Sequence, residues 1–191
     1  MRLTFAPLFA GMTLLALAAP AFAQAQPEGP PPQPVVTTVP PAKDADVATL
    51  DGIMAALYDV ISGPAGQARD WNRMRSLFIP GGRMMPVGGK TKDVIGIRLM
   101  TTNDYIATSG PLLLEKGFQE RELARKVERF GNIATVFSTY EAHILADGHV
   151  LRGINTLQLM FDGKRWWIVS LMWQAESPDL PLPKAYLPEA K

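Results

Sequence analysis

Three pairs of turn residues, Gly131-Asn132, Asp147-Gly148 and Asp162-Gly163, divide residues 118–173 into four runs. Each pair is of the kind that supplies positive φ in a hairpin. The runs between them, such as 133–144, 154–161 and 166–173, are rich in β-branched and aromatic residues, the composition of strands. A chain with this stretch is predicted to build a four-stranded antiparallel meander on which the rest must pack.

The turns also predict a register. A two-residue turn at 131–132 pairs Phe130 with Ile133 and sets Glu120 opposite His143, Glu122 opposite Glu141 and Leu123 opposite Tyr140. Two-residue turns at 147–148 and 162–163 set His143 opposite Arg152 and Tyr140 opposite Asn155, then Arg152 opposite Trp173 and Asn155 opposite Ser170. Opposed residues share a face. One predicted face carries Leu123, Val127, Val136, Tyr140, Leu157 and Ile168 and is the core face. The other mixes Glu120, Glu122, Glu141, His143 and Arg152 with Phe137, Ile154, Val169, Leu171 and Trp173. A mixed face of this kind often packs on a partner subunit. A single bulge would exchange the two faces beyond it.

Ahead of the meander, residues 1–23 read as a secretory signal peptide: Arg2, an apolar run over 3–19, and an A-x-A site at Ala21-Phe22-Ala23. The run is short for a span, and Pro20 follows it. The expected location is therefore periplasmic or secreted, with no membrane contact beyond the cleaved leader. Cleavage removes Arg2, one of 19 basic residues against 18 acidic ones, so the formal net charge becomes zero. No basic excess draws the chain to nucleic acid or an anionic membrane. There are 0 Cys, which excludes thiol chemistry and leaves stability to the core, as a domain of this size allows.

Residues 24–43 hold seven prolines and read as an extended linker. The domain is expected over 44–175. A second Pro-rich segment, 176–191, is expected to run over the body, with Leu182, Tyr186 and Leu187 as docking points. Val47, Leu50, Ile53, Met54, Leu57 and Ile61 recur at helical spacing behind a cap at Asp44 or Asp46, and Ser62-Gly63-Pro64 ends that helix. Asp70 caps a short helix that presents Trp71, Met74, Leu77 and Phe78 and stops at Pro80-Gly81-Gly82. Residues 83–87 and 93–100 read as strands. Thr102 caps a helix that Gly110-Pro111 breaks and 112–116 resumes. Helices first and a meander second predict an α+β fold, with N-terminal helices packed on one face of a strongly curved antiparallel sheet.

Particular residues sharpen this reading: Leu57-Tyr58-Asp59, Asp70-Trp71, the exit Ser76-Leu77-Phe78-x-Pro80-Gly81-Gly82, Phe118-x-Glu120, and Asp162-Gly163-x-Arg165-Trp166-Trp167-Ile168. In these, and in the order of elements over 46–173, the chain resembles the SnoaL-like, nuclear-transport-factor-2-like superfamily. The resemblance implies a cone-shaped half-barrel, a pocket between the helices and the concave sheet face, and homodimers through the sheet. That superfamily hosts isomerases, cyclases and dehydratases beside binding and assembly domains, so it implies no single reaction.

Three constellations carry possible chemistry. Tyr140, Asn155 and Ser170 form a polar row on the apolar face, which Tyr58 and Trp71 would close from the helices. Such groups satisfy one another or orient a ligand. Met84 and Met85 suggest a soft apolar lining, with Met85 the lining candidate. The second constellation is Glu120, His143 and Arg152. A carboxylate beside an imidazole is the unit of general base catalysis, and the same trio is an ordinary cross-strand ion network. The third, His143 and His149 with Glu141, is a valid metal ligand set, but His149 falls at a hairpin tip and no metal is expected. The ketosteroid-isomerase branch of the resemblance implies a helix-borne Tyr and two acidic groups. Tyr58 fits the first role, while the short strand that would carry the base has Met84 and Met85. No phosphate-cradling loop, nucleophile elbow or dinucleotide fingerprint is present, so no cofactor is expected. The expected function is binding of a small, largely apolar ligand in a conical pocket. The alternatives are an isomerase-, dehydratase- or hydrolase-like acid–base enzyme in that pocket, or an assembly module with a filled core.

Overall fold

A computed structural model describes residues 39–188 apart from 92 and 93. The expected signal peptide and most of the expected linker lie outside the described residues. Among the described residues, four α-helices precede or interrupt the sheet: α1 Asp44–Val47, α2 Leu50–Ile61, α3 Trp71–Leu77 and α4 Thr102–Lys116. The six strands of the described residues follow the order β2-β1-β6-β5-β4-β3 in one sheet, with β1 Phe78–Thr91, β2 Val94–Ile97, β3 Phe118–Phe130, β4 Ile133–Ile144, β5 His149–Phe161 and β6 Trp166–Ala175. The fold is α+β. β1 runs parallel to β6 and every other pairing is antiparallel, so the sheet is mixed, and its ends at β2 and β3 leave it open.

The helices differ from expectation where a side chain supplies a stop or a space. The first predicted helix divides because the Thr49 side chain accepts from the Gly52 N–H and starts α2 afresh. Ile53, Met54, Leu57, Tyr58 and Ile61 then form the buried stripe of α2. α3 ends at Leu77, and Phe78 opens β1 by pairing with Ile168. The chain therefore passes through Pro80-Gly81-Gly82 as an irregular strand, with Gly81 at φ 78°. α4 continues through Pro111 behind a capping box of Thr101 and Asp104. Gly110 admits the Trp71 ring there: a Cβ at 110 would lie 3.3 Å from Trp71 Cζ2.

The meander has the predicted number of strands but not the predicted register throughout. The two-residue turn at Gly131-Asn132 forms, and Phe130 pairs with Ile133. At Leu123 an extra residue bulges: Ala124 faces Thr139, whereas Glu122 faces Tyr140 and Glu120 faces Ala142. The next two connections are four residues long, since Ile144 pairs with His149 and Phe161 with Trp166. An even change keeps faces intact. Asn155 still shares Tyr140's face, but it opposes Ser138, while Tyr140 opposes Gly153. A second bulge at Val169 moves Ser170 opposite Gln158, Leu171 opposite Leu157 and Trp173 opposite Asn155. Two single-residue bulges thus carry Glu120, Glu122, Leu171 and Trp173 onto the helix-packed face and take Ser170 off it.

The core lies between that face and the helices, with Ile53, Met74, Leu77, Val136, Leu157 and Ile168 fully buried. Arg69 ties the loop after α2 to α4 by donating to the carbonyls of Ile61, Gly63, Pro64, Gln67 and Leu113. The segment after β6 crosses the other face. Its Tyr186 ring stacks on Phe137 at 5.5 Å, and the Thr139 hydroxyl donates to the Tyr186 carbonyl at 2.6 Å.

Candidate functional site

The end of α2 is fastened to the start of β3 by backbone and side chain together. Gly63 and Phe118 exchange N–H···O=C bonds of 2.7 and 2.9 Å. The Ser62 hydroxyl donates to the Tyr58 carbonyl at 2.7 Å and accepts from the Glu120 N–H at 3.0 Å. Tyr58 and Glu120 are thereby held against one another from two elements, and the bulge at Leu123 turns the Glu120 side chain inward.

It turns into a cavity of about 260 Å³ between α2, α4 and the inner sheet face. Leu57, Met84, Leu113, Ala142 and Leu171 make its apolar wall. Tyr58, Tyr105, Glu120, Tyr140, Asn155 and Trp173 supply its polar and aromatic groups, and Lys116 reaches the lining from α4. A dry cavity of ~150 Å³ accommodates benzene and drug-sized sites start near ~300 Å³, so the space suits a molecule of one or two rings.

The polar groups are joined in one chain. Asn155 Nδ2 donates to Glu120 Oε1 at 3.1 Å and to Tyr58 Oη at 3.1 Å. Tyr58 Oη lies 2.7 Å from Ser138 Oγ, and Ser138 donates to Glu122 Oε1 at 2.5 Å. Ser138 has one proton and spends it on Glu122, so Tyr58 is the donor in the Tyr58–Ser138 bond. Among the described residues, Glu120 Oε2 and the Tyr140 hydroxyl have no hydrogen-bond partner, and Glu120 joins no ion pair.

Burial sets the electrostatics. Desolvation raises the Glu120 carboxyl from 4.5 to about 7, against the opposing effect of the Asn155 hydrogen bond. Burial likewise raises Tyr58, Tyr105 and Tyr140 above the ordinary phenol range, and the Glu120 charge pushes each the same way. All three phenols remain neutral donors while Glu120 titrates near neutrality.

Tyr58, Tyr140 and Asn155 line this cavity together. The other expected residues lie elsewhere. Trp71 packs on Gly110 outside the lining. Met85 pairs with Met172 and points to the opposite face, and its neighbour Met84 takes the wall. Ser170 faces Gln158 on the outer side. The expected row of Glu120, His143 and Arg152 is split by the bulge at Leu123. His143 stays outside, 3.2 Å from Glu141, which Arg121 also binds, and Arg152 pairs with Glu176 at 2.6 Å. That outer row is an ion network and is separate from Glu120. Ser138, Tyr105, Glu122, Leu171 and Trp173 enter the site or its support without having been singled out for it. Four of these depend on a bulge or on a strand offset, and no residue type announces either.

No protein-family model matches the chain, and no curated protein matches it. Solved structures do. A candidate calcium/calmodulin-dependent kinase II association domain from Exiguobacterium sibiricum superposes with a TM-score of 0.51 at 13% identity, covering 69% of this chain and 93% of that one. A candidate dehydratase of the NTF2-like family from Streptomyces avermitilis superposes with a TM-score of 0.50 at 15% identity, covering 68% and 95%. The chain therefore has the nuclear-transport-factor-2-like fold, and the function has to be argued from its own cavity.

Proposed function

We propose that this protein is an acid–base enzyme that moves a proton on a small, largely apolar molecule, with Glu120 as the group that takes the proton and returns it. One observation carries the reading: a carboxyl that forms no ion pair among the described residues, raised to about 7, lies in an apolar cavity beside a neutral phenol. A carboxylate poised near the working pH is a stronger base than an ordinary surface carboxylate and is better matched to abstracting a carbon-bound proton. The free oxygen of Glu120 accepts the proton of a C–H bond next to a carbonyl. The electron pair of that bond moves onto the carbonyl oxygen, which the Tyr140 hydroxyl can meet as a donor. Return of the proton to a different carbon, or loss of a neighbouring hydroxyl as water, gives an isomerisation or a dehydration.

Tyr58, whose proton is committed to Ser138, supports the site from behind. The reading carries with it an exported location, supported by the sequence of residues 1–23 alone. The test is incubation of the full chain in D2O with a panel of one- and two-ring ketones, followed by NMR. Exchange of hydrogen for deuterium next to the carbonyl, abolished in Glu120→Gln, is the expected result. A ketone that binds by calorimetry but exchanges no faster than in buffer would make the protein a binding module and refute the enzyme reading.

A further inference from the structure

The hydrogen-bond chain does not end at the cavity. It runs Glu120–Asn155–Tyr58–Ser138–Glu122 and joins two carboxylates of β3 through three side chains from β5, α2 and β4. We propose that Glu122 is a positioning residue for Glu120: it fixes the direction in which every donor of this chain points, and thereby which end of the Asn155 amide meets Glu120. The proposal rests on Glu120 as the proton-transferring group.

The argument is donor arithmetic. An ionised carboxylate only accepts. While Glu122, paired with Arg125 at 3.6 Å, accepts from Ser138, the Ser138 hydroxyl has no proton left for Tyr58. Tyr58 must then donate to Ser138, and its oxygen accepts from Asn155. That orientation gives Asn155 its Nδ2 toward both Tyr58 and Glu120, one N–H to each, so Glu120 meets an amide donor and no acceptor, which favours its ionised form. The opposite sense is also self-consistent: Ser138 donates to Tyr58, Tyr58 donates to a flipped Asn155 Oδ1, and Glu120 must carry a proton to meet that same oxygen. Only a Glu122 that accepts from Ser138 excludes it.

The consequence has an unusual sign. Two carboxylates acting through space oppose each other's ionisation. Acting through the chain, Glu122 promotes the ionisation of Glu120. The other titratable groups that face Glu120 are Tyr58 from α2, Tyr105 and Lys116 from α4, and Tyr140 from β4. Those near Glu122 are Arg125 on its own strand and, through Arg125, Asp51 of α2.

The test is the side-chain carboxyl ¹³C titration of Glu120 in the full chain without ligand, assigned by its disappearance in Glu120→Gln. Glu122→Met removes both the charge and the acceptor, and Ser138→Ala removes the link without altering charge. Both are expected to raise the Glu120 midpoint by about one pH unit, the scale of one hydrogen bond to a charged group. In a Tyr58→Phe background, where the chain is cut, Glu122→Met is expected to lower the midpoint or leave it in place. A fall or no movement in either single variant would overturn the proposal, and if Glu122→Met does not fold, Ser138→Ala decides it. A wild-type midpoint near 4.5 would refute the catalytic reading of Glu120 and still leave the direction of these shifts to judge the chain.

Discussion

Replacing Glu120 by Gln should stabilise this protein, and by an amount that depends on pH. Gln keeps the shape of the side chain and an oxygen to accept from Asn155, but removes the charge. In the unfolded chain Glu120 ionises with its usual midpoint of 4.5, and in the folded protein at about 7. Between those values the unfolded state has released a proton that the native state retains, so wild-type stability falls as pH rises through the window and is level above it. The gap of 4.5 to about 7, at about 1.4 kcal/mol per unit, comes to about 3 kcal/mol. Glu120 keeps some contact with the open cavity, so this is the upper end. Glu120→Gln should therefore match wild type at pH 4 and exceed it by up to about 3 kcal/mol at pH 9, or on the order of 5–10 °C in Tm. Urea unfolding of both proteins at pH 4, 7 and 9, with activity measured alongside, reads it out. The catalytic reading requires the stabilised variant to be inactive, the pattern of a group kept for function at the expense of stability. A difference that is constant with pH, or a variant less stable at pH 9, would refute the claim that the cavity holds back Glu120's ionisation.

Other substitutions separate the site from its surroundings. Gly153→Ala would place a Cβ 2.6 Å from Tyr140 Oη and 2.3 Å from the Gln174 carbonyl. It should cost about 1–3 kcal/mol in urea unfolding and weaken ligand binding, because the Tyr140 ring lies over that glycine. Arg69→Met frees five carbonyls around the loop after α2 and should lower stability by about 3 kcal/mol or more, with calorimetry showing the loss. Ser170→Ala, on the outer face, should leave exchange activity and binding as in wild type. Exchange activity itself should rise with pH through about 7 as Glu120 ionises, and a profile flat across that range would speak against Glu120 as the base.

The four strands and their first turn were legible because Gly131-Asn132 and the alternation around it leave few other solutions. The α+β order followed from the helical spacing of Ile53, Leu57 and Ile61 ahead of the meander. Tyr58, Tyr140 and Asn155 could be brought together because the longer connection at Leu145–Gly148 alters the register by an even number, which slides residues along a face without exchanging faces. What could not be read was a shift by one. Leu123 and Val169 are ordinary strand residues, and whether a strand absorbs an extra one depends on how the sheet must bend over α2 and α4. Those two positions decided that Glu120 belongs with Asn155 rather than with His143, and that Trp173 rather than Ser170 faces the cavity. The same limit applies to Pro111, which lies inside α4 instead of breaking it.

The central claim is that Glu120 holds its proton to near neutrality inside the cavity. Infrared difference titration of wild type against Glu120→Gln isolates that one carboxyl. The account predicts a protonated carboxyl band that disappears with a midpoint near 7. A band already gone by pH 5 would place Glu120 among ordinary carboxylates and contradict the account.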